Sequence, residues 1–351
     1  MKANTKSYAL KDKVGGWKHF AALGYAIAAD SLGLFLMLAS SYGKGMTTGG
    51  LLKLLLGMVF AAHGRIIASY LVHEAAHNIV FKEEQANDIF GVICLCFAGI
   101  PYADIGQIRK MHVLHHRDRA DPVEFDYRDF VKSGGSILKY LFLGLEWFFL
   151  PAVETFMQIR CAFYPFFYPK ECTESRRRTA WWGTPAAMCY YWYLWNKKIL
   201  LPQLVVGGFI LHFLSFSDSF HHTYEAIFMT DENYKPGPGS RTAQFEEDNT
   251  YSNVLSIRYP WLNVLHLNFG YHNAHHKKPT VPWYDLPEYH KKVYSGENPP
   301  CVIPVVDVLH AWFKHRLTRI LEEDYGVVHP PGTPGRANDF VGALGVSFLT
   351  V

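Results

Sequence analysis

The stretch His266-Leu267-Asn268-Phe269-Gly270-Tyr271-His272-Asn273-Ala274-His275-His276 decides how this chain reads. It holds the pattern His-x-x-His-His at His272, His275 and His276. The same pattern stands earlier as His112-Val113-Leu114-His115-His116, and a third cluster, His73-Glu74-Ala75-Ala76-His77, spaces two histidines at i and i+4. On a helix these positions share one face, so each cluster turns its imidazoles in one direction. Imidazole nitrogen is a favoured ligand for iron, zinc, copper and nickel. The three clusters supply eight candidate ligands, more than one tetrahedral ion can take. One such cluster is unremarkable on a solvated helix face; two copies and a third pair, each at the end of an apolar segment, point to metal.

Outward from these clusters, the chain is apolar. Of its 351 residues 49% are hydrophobic and only 19% charged, below the usual quarter, which favours a membrane protein over two soluble domains. A net charge of +3 provides no basic field for nucleic acid. The six cysteines, at 94, 96, 161, 172, 189 and 301, form no Cys-x-x-Cys and read as buried or interfacial thiols.

Taken in order, residues 1–18 are polar and carry Lys2, Lys6, Lys11, Lys13 and Lys18, which should stay cytoplasmic. The apolar stretch 19–40 lacks a cleavage site and is long enough to cross a bilayer. Residues 51–72 return as a second span that runs into His73, with His63 and Arg65 facing the protein interior or lying near its cytoplasmic half. Residues 89–103 are short for a span and read as re-entrant or interfacial, and 105–119 as a helix carrying His112, His115 and His116. Residues 136–159, broken by Glu146, Pro151 and Glu154, read as an interfacial helix. Arg176-Arg177-Arg178 anchors a second apolar pair, 180–195 and 199–217, which ends just before His221 and His222. A polar loop follows with the turn Pro236-Gly237-Pro238-Gly239, then the central cluster, an amphipathic soluble helix over 304–323 and a Pro/Gly-rich tail over 328–351. The expected fold is therefore an all-α integral membrane protein, residues 1–351 forming one domain. It has about four transmembrane helices in two hairpins and a cytoplasmic helical cap bearing the histidines.

Three chemistries compete for these clusters. His73-Glu74-Ala75-Ala76-His77 is literally the His-Glu-x-x-His of zinc proteases, with Glu74 as general base, but that leaves six histidines idle. A metal transporter or store should place its ligands near the bilayer middle, not at span ends. A dinuclear iron oxygenase uses all the clusters: reduced iron activates dioxygen, and the oxidised site can remove hydrogen from an unactivated C–H bond of a chain held in an apolar channel.

The order His-x-x-x-His, His-x-x-His-His, His-x-x-His-His, with membrane hairpins between, resembles the membrane fatty acid desaturase superfamily over roughly residues 50–290. That superfamily includes hydroxylases and oxidative decarboxylases beside desaturases. The resemblance implies two iron ions with O2 as co-substrate, ligated by His73, His77, His112, His115, His116, His272, His275 and His276. It adds a histidine after the fourth span, for which His222 matches better than His221, with Asp218 four residues before it. Glu74, Asn268 and His266 are then supporting residues, and no catalytic group beyond the iron ligands is implied. The reaction implied first is desaturation of a fatty acyl or similar lipid chain, with hydroxylation and decarboxylation as alternatives. The resemblance also implies a separate electron donor, a ferredoxin, rubredoxin or cytochrome b5 with its reductase, because His329-Pro330-Pro331-Gly332 matches the haem motif of a fused cytochrome b5 only faintly. Arg117, Arg119, Lys277 and Lys278 are candidates to dock that donor. The histidines are expected on the cytoplasmic face of a bacterial plasma membrane or the endoplasmic reticulum.

Overall fold

A computed structural model describes residues 9–43, 45–228, 241–295, 302–303, 305–322, 326 and 340–343. The Pro236 turn, the His329 motif and most of the 328–351 tail lie outside the described residues. The described chain is mostly helical: α1 (Trp17–Leu38), α2 (Thr48–Ala76), α3 (Glu84–Ala98), α4 (Ile105–Asp118), β1 (Asp121–Val123), α5 (Tyr127–Ser133), α6 (Gly135–Trp147), α7 (Ala152–Phe167), α8 (Glu174–Asn196), α9 (Leu200–Ser219), β2 (Ala226–Phe228), α10 (Ala243–Asp248), α11 (His272–Lys277), α12 (Leu286–Val293), α13 (Val305–Lys314) and α14 (Thr318–Leu321). It divides into two compact units, residues 1–109 with 161–210, and residues 110–160 with 211–351.

In the first unit, α1 and α2 form the expected hairpin. Their contact is built from small residues: a Cβ on Gly33 would stand 2.6 Å from Gly57 O, and one on Gly64 2.6 Å from Ala26 O. In lipid such close backbone approach replaces the hydrophobic drive for helix association. Leu51, Leu52, Leu55 and Val59 are left exposed on the first half of α2, as a lipid-facing surface requires. Arg65 is buried as expected, its Nε donating to Asp30 at 2.8 Å and its Nη2 to the Tyr190 hydroxyl at 3.2 Å. His63 is instead bonded to Tyr25 at 2.6 Å and is only partly buried. α2 has 29 residues, whereas about 20 suffice to cross a bilayer. Its last turn carries His73, and His77 follows it as the cap. Asn87 then fixes the turn into α3, accepting from Val80 N and Phe81 N and donating to Phe81 O and Glu83 O.

Three helices, α1, α2 and α9, are long and apolar enough to cross a membrane among the described residues, or four counting the bent pair α6–α7 as one span. α8 covers the expected third span and is long enough at 23 residues, but its surface is aromatic rather than aliphatic, with Trp181, Trp192 and Trp195 exposed and Arg176–Arg178 in its first turns.

In the second unit, the stretch expected as one interfacial helix is two, α6 and α7, meeting at 113°. Pro151 cannot continue α6, and Phe149 takes a left-handed backbone at φ 59°. Buried Glu146 reaches across the break to accept from Val153 N at 3.1 Å, capping α7. A core of Val123, Tyr127, Val131, Phe142, Val153, Met157 and Ile320 seats this corner. The amphipathic helix expected over 304–323 is broken into α13 and α14, and Trp312 of α13 packs with Phe220 and Phe340, so the described piece of the tail lies on the body.

Candidate metal centre

α4 begins where Asp104 accepts from Gln107 N at 2.8 Å, and it sets His112, His115 and His116 on successive turns. Its end leads directly into β1, which pairs in parallel with β2 through Asp121↔Ala226. That register brings Asp121 back beneath the helix, 3.0 Å from His115 Nδ1. The third cluster is not one continuous helix. His266 closes a 3-10 turn, Leu267 and Asn268 take left-handed conformations at φ 49° and 56°, and α11 begins only at His272. Asn268 Nδ2 donates to Trp283 O at 3.0 Å. His266 is structural, its Nε2 accepting from Gly270 N at 3.2 Å. α11 is short and is held from outside: Asn273 donates to Thr250 O and bonds the Ser252 hydroxyl.

These elements bring four imidazoles together. His115, His222, His272 and His276 are all buried, and each offers one nitrogen within 4.8 Å of the other three. Three of the rings are oriented by their far nitrogens. His115 Nδ1 faces Ala120 O at 2.9 Å as well as Asp121, His222 Nδ1 meets the Thr250 hydroxyl at 3.3 Å, and His276 Nδ1 meets Glu246 at 3.1 Å. The carbonyl and the two carboxylates place the protons of His115 and His276 on Nδ1 and leave their Nε2 lone pairs directed inward. His222 Nε2 lies 3.1 Å from His115 Nε2 and 2.7 Å from His272 Nε2, and His276 Nε2 has no hydrogen-bond partner among the described residues. Lone pairs so arranged fit a transition-metal ion, which converts mutual repulsion into coordination. Burial, with the neighbouring imidazoles, holds His222, His272 and His276 well below the usual histidine range, so they stay neutral and ready to ligate. His115 differs: burial pulls it down, but the Asp121 carboxylate more than offsets this.

His116 Nε2 stands 3.2 Å from His112 Nε2 and 3.1 Å from His275 Nε2, a second group of inward nitrogens in the same unit. Burial lowers His275 to about 3. In the first unit His73 and His77 lie side by side on α2, ring centroids 4.6 Å apart. Glu74 between them is buried and faces His19 of α1, with an oxygen 3.7 Å from its Nδ1. Its other oxygen lies 3.7 Å from His73 Nδ1. Of the pair after α9, His222 joins the four imidazoles, while His221 stacks on His272 at 4.0 Å with Asp218 3.8 Å from its Nδ1.

A sequence profile described as "Fatty acid desaturase" matches residues 49–300, most of the chain and all three clusters. This chain belongs to the fatty acid desaturase family. As a family member it is similar to the sphingolipid delta(4)-desaturase of Candida albicans, with 24% identity over 238 residues covering 62% of this chain and 55% of that protein. Similar too are the sphingolipid delta(4)-desaturases of Drosophila melanogaster, 28% identical over 228 residues (62% and 59%), and of Homo sapiens, 28% over 226 residues (62% and 58%). The matched segment thus spans between half and two thirds of these curated relatives.

Asp121, Thr250 and Glu246, which orient the desaturase histidines, escaped sequence reasoning. Asp121 stands five residues after His116, and a carboxylate so close to a histidine cluster was a usable signal. Thr250 and Glu246 are distant in sequence from the histidines they touch and carried none. The expected basic docking patch is largely engaged internally: Arg117 pairs with Asp118, Arg119 with Glu246 and Lys277 with Glu247.

Proposed function

We propose that this protein is an O2-dependent oxidoreductase that desaturates an alkyl chain of a lipid, using two iron ions held by His73, His77, His112, His115, His116, His222, His272, His275 and His276. The observation that carries the reading is the set of four buried imidazoles whose near nitrogens converge, three of them, His115, His222 and His276, held by partners on their far nitrogens. Iron bound there supplies the oxidising chemistry with dioxygen. The chain keeps the ligands neutral, fixes their tautomers and excludes bulk water by burial. His115, His222, His272 and His276 are assigned to one of the two irons. The names of the similar proteins support a sphingolipid-type substrate whose long chain enters from the bilayer.

Desaturation removes two hydrogen atoms from neighbouring carbons. Together with two electrons and two protons from a donor, they reduce dioxygen to two waters. The donor is a separate one-electron carrier, a ferredoxin, rubredoxin or cytochrome b5 with its reductase. The lysines before α1 and the arginines opening α8 support a cytoplasmic location for the histidines, in a bacterial plasma membrane or the endoplasmic reticulum.

The test is to feed deuterated sphingoid bases and fatty acids, with labelled dioxygen, to cells expressing the protein. Mass spectrometry is expected to show loss of two deuteriums, every carbon retained and no label in the product. Incorporated oxygen would instead identify a hydroxylase, and a product one carbon shorter a decarboxylase. Product formed under strict anaerobiosis overturns the reading.

A further inference from the structure

The segment 241–250 contains no histidine, yet it is tied to the metal cluster at several points. Glu246 of α10 lies with one oxygen 3.1 Å from His276 Nδ1 and the other 2.9 Å from Arg119 Nε. Arg119 follows α4 and holds a left-handed backbone at φ 50°, a conformation that a non-glycine residue adopts only when its surroundings impose it. The surroundings here are two crossed guanidinium clasps. Arg119 Nη1 donates to Arg241 O at 2.7 Å, and Arg241 Nη1 donates to Arg119 O at 2.8 Å and to Asp118 O at 3.3 Å. The carbonyls ending the helix of His112, His115 and His116 are thus capped by Arg241, while the residue after it presents Glu246 to His276. Thr242 starts α10 by accepting from Phe245 N at 3.1 Å, and Thr250 at the segment's end meets His222.

We propose that Glu246 is a positioning residue for the metal centre: held by Arg119, its carboxylate accepts the Nδ1–H of His276 and so turns the Nε2 of that ring toward the metal. The inference rests on the di-iron reading and extends it to a segment outside the histidine clusters. One oxygen of Glu246 meets His276 and the other Arg119; Glu246, His116 and His276 could themselves hold an ion, and the proposal gives the carboxylate to the His276 ring instead. The negative charge also strengthens the imidazole as a donor, and loss of such a partner typically weakens metal binding by about 10–100-fold.

Cobalt(II) is the probe, titrated into metal-free full-length protein in detergent with a competing chelator, and followed by visible absorption and metal analysis. The unsubstituted protein is expected to bind two cobalt ions. Glu246→Gln keeps the shape and loses the charge, and is expected to weaken one of the two ions by about 10-fold; Glu246→Ala should weaken the same ion by about 100-fold. Either change should shift the absorption of that ion alone. In a His276→Ala background, Glu246→Gln is expected to have no further effect, which separates action through His276 from general loosening of α10. Unchanged affinity and absorption in Glu246→Gln overturns the proposal, whether or not Glu246→Ala folds. A loss of the same size in the His276→Ala background also overturns it. If the unsubstituted protein binds no cobalt, the di-iron reading fails and this proposal with it; if it binds two and the variants match it, only this proposal fails.

Discussion

His221 and His222 are adjacent and chemically identical, yet the backbone bridge between His222 and Thr250 gives them different tasks. His222 points its Nε2 among the other imidazoles, and His221 lies flat on His272 beside Asp218. His222→Ala is therefore expected to lose one iron per chain and all turnover, whereas His221→Ala should keep both irons and measurable activity. Metal analysis of the two purified variants decides it, and the reverse order would show that the ligand is His221. Asp121 belongs to the same scale. Asp121→Asn leaves a hydrogen-bonding group but removes the charge that favours His115 as a donor, so activity should fall by about 10–100-fold with the protein still membrane-inserted, measured as turnover per folded protein.

Among the elements, the α1–α2 hairpin is the most exacting, because its helices touch through backbone. Gly64 faces Ala26 O and the Asp30 amide nitrogen at distances where no side-chain carbon fits, and Asp30 is also the partner of buried Arg65. Gly64→Val should force the helices apart, with an overpacking cost of about 1–3 kcal/mol and added loss from the disturbed Arg65–Asp30 pair. The expected readout is a lower melting temperature and poorer recovery in detergent, accompanied by loss of metal because α2 also carries His73 and His77. Gly24, on the same helix α1 but with nothing within 4 Å of an added Cβ, should tolerate alanine, and a similar loss there would place the critical contact elsewhere.

For the whole molecule, the proposed topology of two hairpins puts an even number of crossings between the clusters and so all nine proposed ligand histidines on one side of the membrane. Accessible tags at the chain start and just after Lys278 should both be protected in sealed right-side-out vesicles and both react after permeabilisation. One tag reacting from outside would break the proposed topology. The protein should also stay with the membrane through an alkaline wash and leave it only in detergent, as expected of α1, α2 and α9.

The sequence by itself determined the class of molecule: three histidine clusters at helical spacing, apolar runs of spanning length and basic residues flanking them are local signals, readable because ligand faces and membrane spans are built from neighbours in the chain. Through the resemblance it also pointed to His222 rather than His221, and His222 is the one of the pair that lies among the converging imidazoles. The tertiary structure alone decided what surrounds the imidazoles. Asp121 reaches His115 through a parallel strand register, Thr250 and Glu246 arrive from a segment between clusters, and α11 is detached from His266 by two left-handed residues. It also decided that 136–159 turns a corner of 113° and that Arg119 and Lys277 are occupied by carboxylates. The physical reason is the same in each case. A ligand's tautomer and a charge's partner depend on which distant groups share its few ångströms of space, and periodicity along the chain carries no record of that.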